Sequence, residues 1–245
     1  MTAAPLEQID GAADILLLCD HAANAVPADI ELGVAPQVLA RHVAVDIGAG
    51  PLTRALAGAL GAPALLATVS RLVVDLNRPV DHPDLVPVLS DGHAIPGNVN
   101  ADQQARVARF HAPYHNVLAR QVRERRPRLI VGIHSFTPAL ETGPHAPRPW
   151  EVGILYNRQA RAARMIIAAL EQAGVVTGDN APYSGRQLNM TLNRHAEGQG
   201  IGGFSIEVRN DLIANEAGVA RWAAIIAPIL FDVRNRLAQN RSFAT

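Results

Sequence analysis

The sequence predicts one α/β domain: a mainly parallel sheet with helices on both faces. Three observations carry that prediction. Apolar runs of strand length recur at residues 15–18, 63–69, 129–133, 151–157 and 204–208. Segments of helical periodicity lie between several of them, and such alternation is the mark of βαβ units. The 245 residues are 49% hydrophobic, enough for one sizeable core, and no linker argues for two units, so residues 1–245 are expected to form a single domain.

Taken in order, residues 15–18 read as a buried strand that breaks abruptly into Cys19, Asp20 and His21. Residues 22–34 are a loop carrying Pro27 and Gly33, and Pro36 suits the first turn of a helix over 36–43. A longer helix is expected over 47–60. There Leu52, Leu56 and Leu60 recur every four residues, Asp46 takes the N-cap place and Gly61 closes the far end. After the strand at 63–69, residues 70–79 continue as an extended piece. Residues 80–99, rich in Pro, Asp, His and Gly, form a long functional loop. The helix at 102–126 places Val107, Phe110, Tyr114, Leu118 and Val122 on one face. Its basic end (Arg120, Arg123, Arg125, Arg126) suits a helix C-terminus. The strand at 129–133 leaves His134 just past its end and is followed by a loop at 136–150. A strand at 151–157, a helix at 158–173, a polar glycine-containing loop at 180–203, a strand at 204–208 and a helix at 216–237 complete the chain.

Composition excludes several functions. The formal net charge is zero, so neither nucleic acid nor an anionic membrane is an expected partner. All 22 basic residues are Arg, which removes Schiff-base lysines and the phosphate loop ending in Gly-Lys. Cys19 is the only cysteine, so neither a disulfide nor a thiolate zinc cluster can form within the chain. Residues 1–14 lack the pattern of a signal peptide, and no apolar run approaches the roughly 20 residues of a membrane span. A soluble cytoplasmic protein is expected.

Two histidines, His21 and His134, each follow a buried strand directly, and Glu207 lies in or at the end of another. Such groups at strand ends can converge on a metal at the rim of an α/β sheet. Zinc takes imidazole nitrogen and carboxylate oxygen and, in catalytic sites, leaves one position open for water. Asp46 and Asn24 are both candidates for the third ligand; Asp46 is preferred because a carboxylate binds zinc far better than an amide. Glu207, costly in an apolar strand unless paired, is the expected general base, with a pair to Arg209 as the structural alternative. Arg71, Asp75, Asn77 and Arg78 form a dense polar group. Arg71 either pairs with Asp75 or joins Arg78 in gripping a substrate carboxylate. Tyr183, Ser184, Arg186 and His195 occupy the long loop at 180–203, lining a pocket or merely solvated.

In this order, SRLVVDLNRP, GIHSFTP, ILYN, NAPYSG and SIEVRNDLI resemble the N-formylglutamate amidohydrolase family over residues 16–213. The resemblance implies a fold similar to the zinc carboxypeptidases and aspartoacylases, in which a metal-activated water hydrolyses an amide. Relatives of that fold carry His, two residues, then Glu, followed by a distant His and a later Glu base. His21, His134 and Glu207 match in order, while Asn24 stands where the liganding Glu would be. The expected enzyme is a zinc hydrolase of a small N-formyl or N-acyl amino acid. His21, Asp46 and His134 would hold the metal, and Glu207 and His195 would be catalytic. Arg71, Asn77, Arg78, Tyr183, Ser184 and Arg209 would bind the substrate. Two rivals are weighed beside it: a thiol amidase using Cys19 with His21, which share a strand face, and a non-catalytic dicarboxylate-binding protein.

Overall fold

The computed structural model describes residues 6–142 and 148–239. The start of the N-terminal segment and part of the 136–150 loop therefore lie outside the described residues. Seven strands form the main sheet: β1 (Leu6–Ile9), β2 (Ile15–Cys19), β3 (Ala64–Ala67), β6 (Leu129–Phe136), β7 (Val152–Leu155), β8 (Thr177–Asp179) and β9 (Gly202–Arg209). Between β3 and β6, β4 (Leu89–Ser90) and β5 (His93–Ala94) make a separate two-stranded hairpin. The sheet order is β1-β3-β2-β6-β9-β7-β8. β3, β2, β6 and β9 run parallel, β1 is antiparallel to β3, and β7 is antiparallel to β9 but parallel to β8.

The central strands are buried on both faces, which is why they read as unbroken apolar runs. One face, with Leu17, Val131 and Ile133, packs against α2 (Ala49–Leu60), α5 (Ala160–Gln172) and α8 (Glu216–Gln239). The other, with Leu16, Leu18 and Ile130, is covered by Tyr114 and Leu118 of α4 (Ala112–Arg125) and Leu192 of α7 (Met190–His195). No helix among the described residues is long and apolar enough to cross a membrane.

Several expected elements differ. The helix expected over 36–43 is a single turn, α1 (Pro36–Leu39), which frees His42 to reach a cavity. Residues 70–79 form turns, not an extended piece. Leu72, Val73, Val74 and Leu76 are all buried, so no face alternates. The helix over 102–126 has three parts: α3 (Gln103–Arg106) capped by Asp102, a π-helical turn (Val107–His111), and α4. The 180–203 loop holds α6 (Gly185–Leu188) and α7. β1 and β8 are short, and only their neighbours make them strands. β7 follows β6 through a loop with no crossover helix among its described residues, and so it enters the sheet antiparallel.

Gly153 of β7 is required by close approach. A Cβ there would lie 2.2 Å from the Ala181 carbonyl oxygen, in the turn that carries Tyr183.

A candidate metal centre at the strand ends

β2, β6 and β9 run parallel and deliver their C-terminal ends side by side. His21 sits two residues beyond β2. His134 lies inside β6, not past it, because that strand continues to Phe136. The β6–β9 register pairs His134 with Glu207, setting the two side chains next to each other on one face. Asp46 comes from the turn before α2, where its N–H donates to the His21 carbonyl at 3.1 Å. Asp46 does not cap α2 with its side chain. Gly48, at φ 80°, takes that place, and the Asp46 carboxylate turns inward.

There Asp46 Oδ2 lies 2.9 Å from His134 Nδ1 and 3.3 Å from His21 Nδ1, while Oδ1 accepts from Arg71 at 3.1 Å. One ligand atom from each of His21, Asp46 and His134 falls within 4.8 Å of the others. The remaining ring nitrogens are also held. His21 Nε2 bonds Asp75 Oδ1 at 2.7 Å, and His134 Nε2 lies 3.6 Å from Asp20 Oδ2. The Tyr114 hydroxyl donates to Asp20 Oδ1 at 2.5 Å, fixing that carboxylate from behind. Carboxylates behind imidazoles orient metal-binding histidines in this way.

Charge count tests whether the residues fit a metal. Asp20, Asp46, Asp75 and Glu207 are buried beside the half-buried guanidiniums of Arg71 and Arg78. With neutral imidazoles the group carries two uncompensated negative charges, which a divalent cation would balance. Burial opposes charge on His134, yet the Asp46 bond and the Glu207, Asp46 and Asp20 charges raise it to about 9. Burial and Arg71 oppose charge on His21, but Asp75 and Asp46 raise it overall. The Asp46 carboxyl is held low against burial by His21, His134 and Arg71. Glu207 goes the other way: burial, countered by His134 but reinforced by Asp46, raises its carboxyl to about 7. Two nitrogens and one carboxylate oxygen, each oriented, form a donor set that suits zinc.

These groups line a cavity of about 180 Å³, together with His42, Asn77, Arg78, Ser135, Thr137 and Tyr183. Arg71 is engaged, spanning Asp46 and Asp75 (2.8 Å to Asp75 Oδ2), as its pairing alternative holds. Arg78, 3.8 Å from the same carboxylate, is less tightly held. Asn77 donates to the Leu188 carbonyl and accepts from the Thr191 N–H. Tyr183 accepts from Arg148 at 3.0 Å.

Other expected site residues lie elsewhere. Asn24 donates to the Leu39 carbonyl and does not line the cavity. Arg209 chelates Asp211, not Glu207 or the cavity, because the chain turns immediately after β9. Ser184 precedes α6, where its carbonyl accepts from Gln187 and Leu188, and it does not line the cavity. His195 bonds His115 and lines a different cavity. Cys19 is fully buried in the apolar core against α2, and burial pushes its thiol far up, which removes the thiolate a thiol amidase needs. Sequence reasoning missed His42, hidden in an expected helix, and the support given by Asp20 and Tyr114, which depends on a contact across 94 residues.

The profile of the N-formylglutamate amidohydrolase family matches residues 13–214. No curated protein matches the chain. Among solved structures, a gene product of Agrobacterium tumefaciens is 32% identical, with a TM-score of 0.90 and 96% of each chain covered. N-formylglutamate amidohydrolase from Ralstonia eutropha is 20% identical, with a TM-score of 0.69, covering 97% of this chain and 99% of its own. A bacteriophage poly-γ-glutamate hydrolase, 11% identical with a TM-score of 0.50 and coverage of 95% and 91%, shares the fold. With the family profile spanning most of its length, the chain belongs to the N-formylglutamate amidohydrolase family, hydrolases of non-peptide carbon–nitrogen bonds.

Proposed function

We propose that this chain, acting as one domain, hydrolyses the amide of a small N-formyl or N-acyl amino acid with the help of zinc held by His21, Asp46 and His134. The observation that carries this is the convergence of those three ligand atoms beside Glu207 and Arg78 in one small cavity. A divalent ion in such a site supplies Lewis acidity and makes water a nucleophile at neutral pH. Glu207 takes the proton of the attacking water. Its raised pKa also lets it pass that proton to the departing amine. Arg78 receives a carboxylate of the amino-acid part, with Asn77 and Tyr183 flanking it, and Arg71 keeps Asp46 and Asp75 in place. Family membership weighs against a binding protein without turnover, and the buried Cys19 thiol weighs against a thiol amidase.

The test is an assay over N-formyl and N-acetyl amino acids with chelator and iodoacetamide arms. Turnover that a chelator stops, zinc restores and iodoacetamide leaves alone supports the proposal. Turnover indifferent to chelation overturns it.

A further inference from the structure

Two sequence features stay outside the active cavity: the basic end of α4 and His195. They meet in a second cavity of about 470 Å³, at the N-terminal ends of β6 and β9, the edge of the sheet opposite the metal centre. Arg123 and Arg126 line it beside His195 and Gln199, with Val122 and Ile201 as apolar wall. Neither guanidinium makes a hydrogen bond or an ion pair among the described residues. Both guanidiniums are therefore free to take an anion.

His195 is 4% exposed, and its protons can be assigned. His115 Nε2 lies 2.9 Å from the Leu76 carbonyl, which can only accept, so that nitrogen carries the hydrogen. Burial keeps both rings neutral, lowering His115 to about 3 and His195 to about 4. His115 Nδ1 then accepts from His195 Nε2 at 2.9 Å. His195 Nδ1 is left with a lone pair and no hydrogen-bond partner among the described residues. The cavity thus combines two unpaired guanidiniums, an imidazole acceptor and an apolar wall.

We infer that this cavity binds a small dicarboxylate that carries its own hydrogen-bond donor next to one carboxylate, the chemistry shared by acidic amino acids and α-hydroxy diacids. Its carboxylates face Arg123 and Arg126, its methylenes lie on Val122 and Ile201, and its ammonium or hydroxyl donates to His195 Nδ1. The inference does not depend on how the active cavity works.

Calorimetric titration of the whole chain with L-glutamate, L-malate and glutarate tests it, repeated on the Arg123→Gln/Arg126→Gln variant. The variant's melting temperature and basal hydrolysis serve as controls. Saturable binding of glutamate or malate is expected, weakened at least about tenfold in the variant. Binding of glutamate alone identifies an amino acid, and binding of malate alone a hydroxy diacid. Glutarate, which lacks the donor, is expected to bind about tenfold more weakly than the ligand that does. Absence of binding by both donors, unchanged affinity in a folded variant, or equal binding of glutarate overturns the inference.

Discussion

Asp46 is the residue on which the site turns. It meets two imidazoles, a guanidinium and the Ser135 N–H from positions up to 89 residues apart. The sequence shows it only as an acidic residue before a helix, where a cap and a ligand look alike. His21 and His134 were easier to find, because a titratable group at the end of an apolar strand has few other uses. Direction is harder to read than position. Arg209 and His195 sit in suggestive places, but a turn after β9 and a bond to His115 point them elsewhere. Three residue-scale predictions follow from the partners observed. Glu207→Gln should lower kcat by roughly 10²–10⁴-fold, the range for a lost general base, while metal content by elemental analysis stays unchanged. Arg78→Gln should raise KM by roughly 10–100-fold with less effect on kcat, as loss of a charged substrate contact would. Arg71→Gln should instead lower stability by roughly 3 kcal/mol in urea titration, because it strips two buried carboxylates of their partner.

Among the elements, the strands at 15–19, 129–136 and 202–209 were legible because burial on both faces demands unbroken apolar runs. The short strands β1 and β8 were not, since pairing creates them and their sequences are partly polar. The start of α2 depends on Gly48: a Cβ there would lie 2.2 Å from the Ile213 carbonyl oxygen, at a backbone angle that favours glycine. Gly48→Ala should therefore lower Tm by at least roughly 4 °C by calorimetry. It should also weaken metal retention, because Asp46 is two residues away. The β4–β5 hairpin holds the segment after β6 through Asp91, which accepts from the Glu141 and Thr142 N–H groups and the Thr142 hydroxyl, and bonds His42. Burial raises the Asp91 carboxyl, but these bonds outweigh it and bring it to about 2, below an unfolded value of about 3.9. Its contribution is thus present above that unfolded value and is lost as pH falls through the folded one. Asp91→Ala should cost roughly 1–3 kcal/mol at pH 7, and the difference from the unsubstituted chain should shrink toward pH 2 in denaturant titrations.

At the scale of the whole molecule, the mainly parallel sheet covered on both faces follows from alternating apolar and amphipathic segments, and it brings distant strand ends to one rim. The charge balance at that rim was invisible in a sequence of zero net charge. Four carboxylates and two guanidiniums meet there only through folding, a group that two further positive charges would balance. The most direct test is the metal content of the purified chain and of His134→Ala, measured alongside hydrolysis of N-formyl-L-glutamate. About one zinc per chain in the unsubstituted protein is expected, with both metal and hydrolysis lost from a folded His134→Ala variant. Full hydrolysis by a metal-free chain, or by the variant, would contradict the account.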